Sequence, residues 1–246
     1  MQESRKNFAA QARADVAGRE GASRSDTITC LLNAQKTANE SAVNFPDRIQ
    51  AEMNYDSIIR DSFKSSLAVK QAALEQLQRP LVVAAERLVA TYRAGNKALF
   101  MGNGGSAADA QHLAAEFVGR YRLNRRALPA LALHTNTSSL TAIGNDFGYE
   151  ASFLRPLEAL AAPGDLVVAI STSGNSRNIL AALDWARQQR LSTLGLTGAG
   201  GGAMAAKVDI LLAVPSDDTP RIQECHILIG HVLCEIVERA LFSPAS

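Results

Sequence analysis

The stretch "DLVVAISTSGNS", Asp165–Ser176, joins an unbroken apolar run to a turn crowded with hydroxyls. An apolar run with no polar alternation predicts a strand covered on both faces. Four more runs of strand length occur in the chain: "KALFMG" from Lys97, "ALPALALH" from Ala127, "STLGLTG" from Ser192 and "ILLAVPS" from Ile210. Helical stretches fall between them, roughly at Ser106–Arg120, Gly148–Ala161 and Ser176–Gln189, with a short one near Ala203–Lys207. The alternation predicts an α/β fold, a doubly wound five-stranded parallel sheet flanked by helices. Ligands of such sheets sit beyond the carboxyl ends of the strands.

The sheet has helical neighbours on both sides in sequence. From Met53 to about Gly95 the periodicity predicts two helices broken at Pro80, the second being "PLVVAAERLVATYRAG" with Pro at its start and Gly just past its end. At the other end, "TPRIQECHILIGHVLCEIVERALF" predicts a long, largely apolar C-terminal helix, buried against the sheet or another subunit. The domain is expected over residues 53–246. Residues 1–52 mix charges evenly and offer few large apolar side chains. They read either as a weakly ordered leader or as a stretch upstream of a start at Met53.

The bulk numbers exclude several function classes. The chain has 246 residues, is 47% hydrophobic, and carries a formal charge of +1 from 25 basic and 24 acidic residues. No global field draws it to nucleic acid or an anionic membrane. No apolar run approaches the ~20 residues that span a bilayer, and the N-terminus lacks the apolar segment of a signal peptide. Cys30, Cys225 and Cys234 have no metal-like or redox spacing. A sparse, odd count fits a reducing compartment, so the cytoplasm is the expected location. Cys225 and Cys234 read as core filling.

Two strand ends carry anion-binding chemistry. Gly102-Asn103-Gly104-Gly105-Ser106 follows "ALF". Its glycines let backbone N–H groups approach an anion, and a helix follows with its positive end. A tight turn with a Ser N-cap would need no ligand, and the loop lacks a P-loop Lys and dinucleotide spacing. In the second cradle, Ser171, Thr172, Ser173 and Ser176 can all donate to phosphate oxygens without carrying charge. Helix capping needs one such hydroxyl, so four in six residues favour a ligand.

"STSGNS" after a buried strand resembles the signature of sugar-isomerase (SIS) domains. "GNGGSAADAQHLAAEFVGRY", "LTAIGNDFGYE" and "RIQECHILIGH" together resemble the phosphoheptose isomerase family, over a span from about Met53 to the end. The resemblance implies an aldose–ketose isomerase that converts sedoheptulose 7-phosphate to D-glycero-D-manno-heptose 7-phosphate for bacterial envelope polysaccharide. It also implies a homotetramer and one bound zinc per subunit. In that view His112, Glu116, Gln223 and His231 bind the metal, Glu116 is the base and His231 the acid. Asn103, Gly104, Gly105, Ser106, Asn145, Asp146 and Gln223 join the four hydroxyls, with Glu116, in holding the sugar phosphate.

Physical chemistry constrains these roles. An enediol mechanism needs a base, an acid at the carbonyl oxygen and help for developing negative charge. His112 and Glu116 lie four apart, on one face of a helix, a spacing that suits chelation or paired acid–base work. A carboxylate firmly on a metal is a poorer base, and sequence does not choose between these uses. Gln223 and His231 are eight positions apart, ~12 Å along an unbroken helix. Either Gln223 bends inward from the helix entry, or different subunits build one site, which points to an active site at a subunit interface. Asn145 and Asp146 can equally form a capped turn. His134, His226 and Trp185 read as structural. Rival readings are a non-catalytic SIS binding module of the kind that associates with the replication initiator, a sugar-phosphate sensor, and an amino-sugar isomerase. A binding module has no physical need of both Glu116 and His231, so the enzyme is favoured.

Overall fold

In strands β1 (Ala98–Gly102) and β3 (Leu166–Ile170) every residue is buried, as unbroken apolar runs require. The computed structural model that places them describes residues 54–243; the leader 1–52 lies outside the described residues. Strands β2 (Ala130–Ala132), β4 (Ser192–Thr197) and β5 (Ile210–Ala213) complete a sheet of order β2-β1-β3-β4-β5. All pairings are parallel, with Gly102 opposite Ile170 where β1 meets β3. The chain runs outward from β1 to β2, then crosses back to β3 and continues the other way. The switch point therefore lies between the carboxyl ends of β1 and β3.

Alternate side chains of each strand point to opposite faces and build two cores. Ala98, Phe100, Leu166, Val168 and Ile170 face one side, packed with residues such as Leu88, Phe117 and Leu233. Those three belong to helices α1 (Tyr55–Arg93), α2 (Gly105–Val118) and α6 (Thr219–Phe242). Leu99, Met101, Val167 and Ala169 face the other side. There they meet Leu157 of α4 (Leu154–Leu160) and Ile179 and Leu183 of α5 (Arg177–Gln188). Five parallel strands covered on both faces match the predicted fold class. The C-terminal helix α6 packs in the first core, with Cys225 and Cys234 buried as free thiols among its inward residues.

Two predicted boundaries are corrected. The break expected at Pro80 is absent: α1 continues through it as one helix. Proline removes one backbone donor and costs about 3 kcal/mol in a helix interior. Leu77 before it and Ala84, Ala85 and Leu88 after it are all buried, so packing on both sides holds the helix together. The helix expected over Gly148–Ala161 divides into a 3-10 turn, Tyr149–Ala151, and α4. Gly148 stands at φ +83°, where a right-handed helix cannot begin directly. Before it lies a further helix, α3 (Thr137–Phe147), whose N-cap Asn136 accepts from Ser139 N at 3.0 Å. No residue of α3 is buried.

A buried ion pair ties the end of α2 to α6. Arg125 Nε meets Glu238 Oε1 at 2.9 Å, with both side chains almost wholly buried. Arg125 also donates to the carbonyls of Glu116 and Phe117, which the end of α2 leaves unpaired. Glu238 accepts from the backbone N–H groups of Tyr121, Arg122 and Leu123. Burial alone would raise this carboxyl's pKa. The three N–H donors and Arg125 outweigh it and hold the group below the usual carboxylate range.

Candidate active site

The loops leaving β1 and β3 emerge side by side at the switch point. Gly104, at φ +55°, turns the first loop into α2. Ser106 is buried, and a side chain at Gly102 would collide with its backbone. In the second loop Ser171 and Ser176 lie 3.1 Å apart, hydroxyl to hydroxyl. Ser173 Oγ accepts from Asn175 N at 3.2 Å. Gly174, at φ +64°, packs so closely on Gly201 that any side chain would meet the Gly201 carbonyl.

A cavity of about 550 Å³ opens beside this second loop. Thr172, Ser173 and Asn175 line one wall, and Gly200, Asp217 and Thr219 line another. Asp217 and Thr219 escaped the sequence reading. Asp217 sits in the loop after β5 and Thr219 opens α6, a stretch without glycine clustering, and only the sheet order brings them to the cradle. His112, Glu116 and His231 do not line this cavity.

Those three converge instead between α2 and α6. His112 Nε2 lies 3.2 Å from Glu116 Oε1 and 3.1 Å from His231 Nε2. One ligand atom from each lies within 4.8 Å of the others. Two imidazole nitrogens at this distance satisfy each other only if one carries the shared proton. Two nitrogens and a carboxylate oxygen form a donor set that suits zinc, and an amide oxygen would make a fourth ligand. The Tyr121 ring lies 5.5 Å from the His231 ring, tilted by 31° to it.

Gln223, predicted as that fourth ligand, points its carboxamide at the first cradle. A side chain at Gly105 would collide with it. A single chain therefore gathers His112, Glu116 and His231, while Gln223 closes over Gly105 from the start of α6. Asn145 and Asp146 occupy the exposed end of α3 and bond to each other at 2.8 Å, with no further partner among the described residues. His134 faces Ala107 O at 3.1 Å; burial lowers its pKa and this carbonyl works against the shift. His226 is buried and neutral, its pKa lowered by burial to about 4, with Nε2 against Thr197 O. Among the described residues, no helix is long and apolar enough to cross a membrane.

Residues 62–198 match the SIS domain family, which defines the class: an α/β domain of the SIS fold. A phosphoheptose isomerase from Roseiflexus sp. is 56% identical over 183 residues, covering 74% of this chain and 92% of that one. One from Trichlorobacter lovleyi is 53% identical over 186 residues, covering 76% and 95%. Among solved structures, a phosphoheptose isomerase from Neisseria gonorrhoeae superposes with a TM-score of 0.71 at 44% identity, covering 74% of this chain and 98% of that one. One from Francisella tularensis superposes with a TM-score of 0.74 at 36% identity, covering 76% and 100%. The chain belongs to the phosphoheptose isomerase family of SIS-domain proteins, and it is a sugar-phosphate isomerase.

Proposed function

We propose that this chain interconverts sedoheptulose 7-phosphate and D-glycero-D-manno-heptose 7-phosphate, supplying heptose for envelope polysaccharide. The observation that carries the reading is the convergence of His112, Glu116 and His231 on one chain whose strand ends also carry two phosphate cradles. The hydroxyls of Ser171, Thr172, Ser173 and Ser176 and the backbone of Asn103–Ser106 hold the phosphate. Asn145, Asp146 and Gln223 take the sugar hydroxyls.

Glu116 takes a proton from C1 of the ketose while His231 gives one to the carbonyl oxygen at C2. The C1–C2 enediol results. Glu116 then returns the proton to C2 while His231, left without its proton, takes the one from O1, and the C1 carbonyl forms. Glu116 Oε1 faces His112, and Oε2 has no hydrogen-bond partner among the described residues, which leaves it open to a substrate. His112, Glu116 and His231 would hold one zinc ion per subunit, which when bound would polarise the carbonyl oxygen.

The cradle cavity and the His/Glu/His cluster have separate linings in a single chain, which supports a site completed between subunits of a homotetramer. Phe63, Leu67, Leu74, Val82 and Val83 on α1 are large, apolar and exposed, as a helix awaiting a partner would be.

The test is to incubate purified protein with sedoheptulose 7-phosphate and follow the aldose by NMR. Glu116→Gln and His231→Ala each lower kcat by roughly 10²–10⁴-fold while circular dichroism stays native. Near-normal turnover in either variant refutes the assignment, and light scattering that finds an active monomer refutes the shared site.

A further inference from the structure

Asn178 lies on the first turn of α5, just past the second cradle, and is almost completely buried. Its carboxamide has two donor hydrogens and an acceptor oxygen with two lone pairs, and all four are used. Nδ2 donates to Asn103 Oδ1 at 3.0 Å and to Ser152 Oγ at 2.9 Å. Oδ1 accepts from Asn103 Nδ2 at 2.9 Å and from its neighbour Ile179 N at 3.0 Å. Asn103 and Asn178 thus pair reciprocally across 75 positions of sequence. Tyr149 adds a third group, its hydroxyl donating to Asn103 Oδ1 at 2.9 Å.

Asn103 is the last residue of the first cradle before two glycines. The backbone there is at its most permissive, and Gly104 already stands at φ +55°. Something must fix where this loop stands relative to the hydroxyls of the second loop, because one phosphate has to be met from both. Strand pairing fixes Gly102 opposite Ile170 and goes no further along the chain. The amide pair begins one residue beyond that point.

We propose that Asn178 is a positioning residue: its amide pairing with Asn103 sets the spacing between the two phosphate cradles. Asn178 touches no substrate. It acts through Asn103, whose oxygen is fully engaged and whose loop meets the anion through backbone N–H groups and its one remaining Nδ2 hydrogen. The inference rests on the phosphosugar reading of the site.

The test is a double-mutant cycle with the full chain, using Asn103→Ala, Asn178→Ala and the double variant. Two readouts are KM against kcat for sedoheptulose 7-phosphate, and the affinity for inorganic phosphate by titration calorimetry. Asn178→Ala should raise KM about tenfold and weaken phosphate about as much, with kcat within about threefold of wild type. The double variant should be no worse than the poorer single variant, since both changes remove one device. Leu183→Val, buried on the same helix but lining the core, controls for lost stability: it should lower Tm and leave KM alone. Additive effects in the cycle, or an Asn178→Ala variant that loses Tm but keeps KM and phosphate affinity, overturn the proposal. If wild type fails to turn over the sugar, the substrate assignment falls. The phosphate titration then still decides the role of Asn178.

Discussion

Glu238 shows how far one carboxylate can reach through its hydrogen bonds. It gathers three consecutive backbone N–H groups and Arg125, and Arg125 in turn closes the carbonyl end of the helix that carries His112 and Glu116. Removing one partner of a buried pair leaves the other charge uncompensated. Glu238→Gln should cost about 3 kcal/mol in urea unfolding at neutral pH. The pH dependence has a definite sign. The folded pKa of Glu238 lies below its ordinary value of 4.5, so its contribution is full above that value and is lost as pH falls through the lowered pKa. The variant and wild type should therefore converge in stability under acid, and a constant gap down to about pH 2 would contradict the account. His226 adds a loss at higher pH. Its pKa falls from 6.5 to about 4 on folding, so its contribution is complete above 6.5 and fades as pH drops toward 4. Neither effect was legible in the sequence, because Arg125 and Glu238 stand 113 positions apart. The His112/Glu116 spacing was legible, since one helical turn relates them. The approach of His231 could be expected only from the family resemblance, because no spacing predicts how two helices pack.

At the scale of elements, the strands were the most legible part. Unbroken apolar runs have few alternatives once helices alternate with them, and all five appear within their predicted stretches. Helix boundaries were harder. Pro80 carries a local signal strong enough to predict a stop, yet the apolar residues on either side of it are buried in one continuous helix. This helix should therefore pay a local penalty that packing hides. Pro80→Ala should restore a donor at this position and stabilise the chain by roughly 2 kcal/mol, the helix gain less the added freedom of the unfolded chain. A lower Tm for this variant would mean that the proline ring itself is a packing element. Gly105 presents the opposite case, where a small residue is demanded by a neighbour. Gly105→Ala would drive the Gln223 carboxamide away from the first cradle. The expected outcome is a raised KM for the sugar phosphate with Tm nearly unchanged, because the flexible amide can move aside.

For the whole molecule, the strand order decides where chemistry can happen. Cradles separated by nearly seventy residues become neighbours only because β1 and β3 pair. The sequence told which strand ends were loaded, and it did not tell that Asp217 and Thr219 would face one of them. This arrangement also has a kinetic corollary. Parallel pairing across a long crossover is slow to nucleate, since chain entropy must be surrendered before any contact rewards it. A refolding chain should collapse before it can capture inorganic phosphate. The single tryptophan, Trp185, sits on α5 just beyond the second cradle and packs on the core there. Its fluorescence supplies a built-in clock for the docking of that helix, against which the arrival of anion binding can be timed in a stopped-flow mixer.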